Sequence, residues 1–426
     1  MGADRPVAEP PRPERGRKQM DQRVYVGVDL AKDFHQVMAV GADHRVLAPT
    51  FRIDRGRRGV TEMLERLRFL VRSDGDLVFT IEATSDYWWE LAWELADRGC
   101  RVYLAHPKKA HDLRKFYALH TKTDVTDAEA LARMPLVDVG LQSLWRPSAA
   151  TQSLQRLCRL RWKSRCRIAD LKRRLSHTSD IVMPGLGRVM PIRYSKSARV
   201  FLRRYLAPEK ARRLGKKRLG DVLNKAAWGK FSEQKLDRLW ECVLNAPRLG
   251  LQPDDLLLEI GLQLDEIEAL EKQIAHLDSR IAELYGEIDP QQCLLRQPGL
   301  GEFLAAAITA VIGDVRRFPS AKHLISYSGL APRVKASGGQ AKARQGITKH
   351  GNPYLRAWAY LAAENARQYD PELKAYYERL RNNGKHYLTA MCATATRLLE
   401  KVYAMLAEQA EESEKGESHA QSICTG

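Results

Sequence analysis

No apolar run in this chain approaches the roughly 20 residues that a membrane-spanning helix needs; the longest covers residues 304–312. Cysteine is sparse. The seven positions, Cys100, Cys158, Cys166, Cys242, Cys293, Cys392 and Cys424, show neither a Cys-x-x-Cys pair nor a matching histidine spacing. That scatter argues against a structural zinc site or a disulfide framework. The first residues are rich in Pro and Arg and lack an apolar core, so no secretory signal is expected. Pro6 stands where N-myristoylation requires Ser or Thr. These absences predict a cytoplasmic protein without a membrane segment, with residues 1–20 and 411–426 as disordered tails and Met20 as an alternative start.

Acidic residues are also in deficit. Lys and Arg number 70 against 52 Asp and Glu, a net charge of +18 with a pI near 9.6. The excess is local: residues 156–218 hold 21 Lys and Arg with only Asp170, Asp180 and Glu209, while the remainder holds 49 of each sign. Such a concentration is a footprint for a polyanion, above all nucleic acid, and differs from a uniformly solvated basic surface. A chain of 426 residues has room for two or three domains.

Apolar alternation predicts strands at residues 23–29, 35–40 and 45–53, joined by short turns as an antiparallel meander. A helical pattern on Val60, Leu64, Leu67 and Val71 follows, then a buried strand at 77–81, a helix at 86–98 and a strand at 101–104. Three hairpin strands followed by alternating helices and strands is the order of the ribonuclease H fold, predicted here for residues 21–140. The chain then turns helical. Residues 141–254 form a basic helical segment in which Arg159, Arg161, Lys163, Arg165 and Arg167 spread around a helix circumference. Ile267, Leu270, Ile274, Leu277, Ile281, Leu284 and Ile288 repeat at spacings of 3 and 4, which predicts a coiled coil over 255–290. Ile at a and Leu at d favour a parallel two-stranded, intermolecular seam; an intrachain hairpin with the helix around Leu154 and Leu175 is the alternative. Residues 291–410 read as a helical domain that starts on Pro298-Gly299-Leu300-Gly301, a hairpin able to present backbone N–H groups to a phosphate.

Four acids carry the chemistry. Asp29 ends the apolar run from Val24, Glu82 ends Val78-Phe79-Thr80-Ile81, and Asp124 and Asp127 lie three residues apart, on one face of a helix. Singly they read as a strand-end turn former, a helix-start acid, an N-cap and its first-turn companion. Jointly they fit a two-metal site, because paired divalent ions stabilise the attacking and leaving oxygens of a phosphoryl displacement. Carboxylates without Cys or His spacing suit Mg2+, with Mn2+ as a substitute. A second candidate runs from Pro332 through Ser337-Gly338-Gly339 to Arg356, with six Lys and Arg and no acid. Glycines admit close backbone approach and the cations can hold a phosphate. A flexible loop that only touches DNA backbone is the plainer reading, since a serine without an adjacent base is a weak nucleophile.

Val28-Asp29-Leu30-Ala31-Lys32, Ile81-Glu82-Ala83-Thr84, Lys122-Thr123-Asp124 through Asp127-Ala128, Pro298-Gly299-Leu300-Gly301, Gly329-Leu330-Ala331-Pro332, Ser337-Gly338 and Lys349-His350-Gly351-Asn352 occur in this order. The combination resembles the DEDD insertion-sequence transposases, serine-dependent recombinases guided by a bridge RNA, over about residues 23–407. The resemblance implies a RuvC-like domain with Asp29, Glu82, Asp124 and Asp127 as metal-binding acids, a coiled-coil connection, and a helical transposase domain with Ser337 as nucleophile. It further implies DNA as substrate, a homo-oligomer whose subunits share the active site, and a bridge RNA for target choice. Ser85 departs from the Gly found there in many members, and the basic middle is longer than in compact ones. Two other functions use the same residues differently: a metal-dependent Holliday-junction nuclease without a role for Ser337, and a non-catalytic nucleic-acid-binding protein with structural acids.

Overall fold

The computed structural model describes residues 23–83, 87–117, 123–137, 141–190, 195–248, 250, 252–333, 336–337, 340–341 and 346–424. The expected tail at 1–20 lies outside them. Two compact units divide the chain, Met1–Arg146 and Pro147–Gly426.

The first unit is built on a mixed sheet of β1 (Val24–Leu30), β2 (Phe34–Gly41), β3 (Val46–Asp54), β4 (Leu77–Glu82), β5 (Arg101–Ala105) and β6 (Gln142–Ser143), in the order β3-β2-β1-β4-β5-β6. β1 pairs antiparallel with β2 and parallel with β4, Val28 opposite Ile81. Period-2 alternation assigns each side chain a face. Val24, Val26, Val28, Leu77, Phe79 and Ile81 join the core under α1 (Arg57–Arg68) and α2 (Trp88–Asp97). Tyr25 and Val78 point the other way and pack with Ala132 of α4 (Asp124–Arg133), which follows α3 (Pro107–Tyr117). Asp29 and Glu82 share the parity of Tyr25 and Val78, so both acids fall on the α4 face.

The second unit is helical. α5 (Ala149–Val182) and α11 (Pro253–Ile288) form a long antiparallel hairpin, and between them lies a bundle of α6 (Leu186–Val189), α7 (Lys196–Tyr205), α8 (Pro208–Leu214), α9 (Lys216–Ala226) and α10 (Glu233–Leu244). The bundle core of Phe201, Leu202, Leu219, Leu223, Leu239 and Val243 joins Ile168, Leu171 and Leu175 of α5 and Leu256 to Ile274 of α11. At the hairpin's other end, Leu154, Cys158, Leu277, Ile281 and Leu284 enter a separate core. That core is completed by α12 (Glu302–Ile312), α13 (Ala321–Ser328), α14 (Pro353–Tyr369), α15 (Pro371–Asn382) and α16 (Tyr387–Cys424). β7 (Ala336–Ser337) and β8 (Gln340–Ala341) form a short hairpin between α13 and α14. α16 runs on through positions 411–424, within the segment expected as a disordered tail.

Two expectations need correction. The heptad seam is filled within the chain: Ile267, Ile274, Leu277, Ile281 and Leu284 are buried against the hairpin partner and its two cores, so it leaves no intermolecular stripe among the described residues. A heptad specifies an apolar stripe, and a helix of the same chain satisfies it as well as a second copy. The charge excess of α5 is met in part internally. α5 carries nine Lys and Arg against two acids, α11 ten acids against two. Arg161 binds Asp278 at 2.6 Å and lies 3.8 Å over the Phe303 ring; Arg167 pairs with Glu266 at 2.7 Å and Lys172 with Glu271 at 3.7 Å. These cations are therefore committed to the hairpin.

Asp placed at both Ile274 and Leu277, which are 7% and 9% exposed, is expected to unfold the second unit, not to split a dimer. Loss of each branched side chain costs about 2–5 kcal/mol before the buried charge is counted. Circular dichroism and light scattering decide: a folded variant of halved mass would restore the intermolecular seam.

Candidate active site

α4 lies on the sheet because β1 has no side chain at position 27. A Cβ there would sit 2.0 Å from the Ala128 carbonyl oxygen and 2.3 Å from the Ala132 nitrogen. Ala128 and Ala132, one turn apart and fully buried, thus press their backbone on the strand. Two residues beyond Gly27 on the same face is Asp29, and next to Ala128 in α4 is Asp127. Thr123 caps the helix, its hydroxyl accepting from Thr126 N–H at 3.3 Å, which corrects the bland reading of Asp124 as the cap. Asp124 is left in the first turn with an exposed side chain.

The other three acids act electrostatically on Asp29. Burial, then the charges of Asp127, Asp124 and Glu82, push the Asp29 carboxyl from 3.8 up to about 6, against the pull of a bond from the Leu30 N–H. Strand β1, strand β4 and helix α4 thus bring the other three acids within electrostatic range of Asp29. Their oxygen donors and mutual repulsion fit a hard divalent cation. They do not form a finished cage: among the described residues no three His, Cys, Asp or Glu are grouped closely enough to hold a metal ion. Arg114 of α3, which nothing in the sequence pattern marks, occupies one side of Asp127. It donates to an Asp127 oxygen at 2.6 Å, with both side chains largely buried, and its other arm contacts His111 Nδ1 at 2.7 Å. Only Ala110 of α3 is fully buried, so no apolar period announces the helix.

Ser337 is set in a different frame. Gly329 ends α13 with φ 72°, and Asn352 begins α14, its side chain accepting from Tyr354 and Leu355 N–H, both at 3.0 Å. Between these caps the chain narrows to a neck: Pro332 bridges Ile347, Arg333 N–H donates to the Gly346 carbonyl at 2.9 Å, and Thr348 N–H to Ala331 at 2.8 Å. The β7–β8 hairpin extends from this neck, with Ser337 paired to Gln340. Gly351 has no room for a Cβ, which would lie 2.2 Å from the Tyr327 carbonyl oxygen. The motifs around Ser337 therefore build the base of its loop; Gly338 and Gly339 lie outside the described residues. The Pro298-to-Gly301 turn also has a structural cause, since Gly299 (φ 85°) admits the backbone of Ala366, 2.6 Å from where its Cβ would be.

Asp29, Glu82, Asp124 and Asp127 belong to the first unit and Ser337 to the second. Among the described residues no helix is long and apolar enough to cross a membrane.

Comparison with known proteins places both frames in context. Residues 26–184, which include the four acids, match a transposase model of the DEDD IS110 type, and residues 291–378, which include Ser337, match the transposase IS116/IS110/IS902 family. The bundle of α6–α10 lies between the two matches. Over nearly full length the chain is similar to the uncharacterized 44.8 kDa protein of insertion element IS116 from Streptomyces clavuligerus, 25% identical across 91% of this chain and 95% of that one. It is 26% identical to the uncharacterized 42 kDa protein of IS900 from Mycobacterium paratuberculosis, across 92% and 97%. A pilin gene-inverting protein of Moraxella bovis is 22% identical across 90% and 96%.

Proposed function

We propose, taking as premise that both matched segments support a DEDD transposase of the IS110/IS116 family, that this chain cuts and rejoins DNA for a mobile element by way of a phosphoserine ester. The observation that carries the catalytic reading is the combined charge of Asp127, Asp124 and Glu82 acting on the partly buried Asp29 at the end of β1. A sheet order of β3-β2-β1-β4-β5 with acids on β1, β4 and a covering helix supports a RuvC-like reading of the first unit.

Asp29, Glu82, Asp124 and Asp127 would hold Mg2+, or Mn2+ in its place, once Arg114 releases Asp127. The bound ions supply Lewis-acid stabilisation of charge on the scissile phosphate. Ser337 attacks phosphorus through its hydroxyl oxygen; the bond to the 3′ oxygen breaks, and the proton lost by serine is recovered by that leaving oxygen. Attack of a 3′ hydroxyl on the ester reverses the exchange, so one phosphodiester replaces another without a nucleotide cofactor. Arg333, Lys349 and Arg356, at the base of the loop, counter phosphate charge. The acids of one subunit and the serine of another act on a common DNA. Target choice is assigned to an RNA partner that pairs with DNA while the protein holds backbone.

The test is a strand-exchange assay with purified protein, RNA transcribed from the flanks of its reading frame, two DNA duplexes and Mg2+. Joined recombinant strands that depend on the RNA are expected. Hydrolysed ends alone, formed with or without RNA, would replace this reading by a junction nuclease.

A further inference from the structure

The α6–α10 bundle ends its α9–α10 hairpin on an exposed tryptophan in an unusual backbone conformation. Asn224 to Gly229 close α9 in a Schellman motif: Gly229 N–H donates to the Asn224 carbonyl at 2.9 Å and Trp228 N–H to Lys225 at 3.3 Å. The left-handed residue of that motif is normally glycine. Here it is Trp228, at φ 57°, although Gly229 is the next residue. The indole is 78% exposed, so packing does not account for a large side chain in a conformation that disfavours one. Lys196 Nζ lies 5.0 Å from the centre of the ring, and Lys225 and Lys230 flank the turn, exposed and without an ion pair among the described residues. Residues 186–252 hold 17 Lys and Arg against five acids. Some of these cations are committed, as Arg199 is to Glu271 and Lys216 to Asp237; Lys217, Arg218, Lys225 and Lys230 have no such acid among the described residues.

We propose that Trp228, with Lys196, Lys225 and Lys230, is a binding site for an unpaired nucleobase and its neighbouring phosphates, so that the bundle grips single-stranded nucleic acid. An aromatic face accepts any base once it is unstacked, and cations beside it hold the backbone. A duplex offers no free base face at this turn, which sets the selectivity. RNA and DNA present the same chemistry here, and the assay separates them.

The experiment uses the full chain with fluorescent 20-nucleotide single strands of one mixed sequence, as RNA and as DNA, and the matching duplex. Trp228→Gly installs the residue that the motif favours, so the variant is expected to melt no lower than wild type. It should bind the single strand about tenfold more weakly, within the range of one lost base stack, with duplex affinity unchanged. Trp228→Tyr should restore most of the loss. Lys225→Gln with Lys230→Gln should lower the log-log salt slope by about 0.7 for each phosphate contact, which Trp228→Gly leaves unchanged. The arm with the larger loss, RNA or DNA, identifies the source. Unchanged single-strand affinity of Trp228→Gly, or an equal loss on duplex, would overturn the site. With a bromouridine-substituted strand, ultraviolet crosslinking to Trp228 is expected, and crosslinks confined to other residues would count against it.

Discussion

Asp29→Asn should abolish strand cleavage and at the same time make the metal-free protein harder to melt. Cleavage falls to background because one carboxylate ligand is lost where charge on the phosphate must be stabilised. Stability moves the other way because Asp29 is held at about 6 by burial and by three acids. A folded-state carboxyl above its ordinary 3.8 binds more protons than the unfolded one between about pH 4 and 6, so metal-free stability falls as pH rises through that window and stays lower above it. Asn escapes that loss. The gain should appear above pH 6, disappear below pH 4, and amount to about 2–4 °C in Tm for each kcal/mol in a unit of this size. Mg2+ should raise the Tm of wild type and leave Asp29→Asn nearly unmoved. Glu82→Gln and Asp127→Asn should share the loss of cleavage while nucleic-acid binding persists. Differential scanning fluorimetry across pH with a gel cleavage assay checks both halves; full cleavage by any two of these variants would end the assignment of the quartet.

Wild-type protein stopped mid-reaction should carry a DNA strand that survives denaturation, and Ser337→Ala should not. The ester conserves the phosphodiester bond, so the adduct separates serine chemistry from hydrolysis by water. Ser326→Ala is the matched control: it is exposed on α13, in the same neighbourhood but off the β7–β8 hairpin. Ser328 is unsuitable, since its hydroxyl donates to the Ile325 carbonyl at 2.7 Å and accepts from Leu330 N–H at 3.2 Å in a fully buried position. Mass spectrometry of protease-digested complex should locate the linkage at position 337. Normal cleavage by Ser337→Ala, with no adduct on wild type, would leave water as the nucleophile.

The first unit is legible in the sequence because its strands are nearly continuous apolar runs with acids at their ends. Val24 to Val28 and Leu77 to Ile81 announce buried strands, and a carboxylate directly after each stands at a strand end, where it can face a shared cation. Gly27 is not legible as a site determinant, because its need to be glycine comes from α4, a hundred residues away in sequence. Arg114 is hidden for a related reason: its helix buries one alanine, and its meaning depends on Asp127. The heptad of α11 marks a seam but does not name the partner across it. Position in a repeat specifies an apolar stripe, whereas the partner is decided by chain connectivity and by the Arg161–Asp278 and Arg167–Glu266 pairs. Local charge counting overstates α5 in the same place, since Arg161, Arg167 and Lys172 pair with acids of α11 that are distant in sequence and adjacent in space.

The α5–α11 hairpin also sets a distance. Cys158 belongs to the core beneath the serine loop and Leu175 to the core of the bundle, and along α5 the helix rises about 25 Å between them. Because both strands of the hairpin are continuous helix and locked by ion pairs, that interval behaves as a gauge and not as a tether. Seven residues removed from each helix would preserve the packed faces and bring the two cores about 10 Å closer, whereas two removed from one alone would rotate its apolar stripe by about 200°, away from the other. Relatives that differ in element length are thus free to change the bundle at the tip with little constraint, but can change the hairpin only in matched, whole-turn increments.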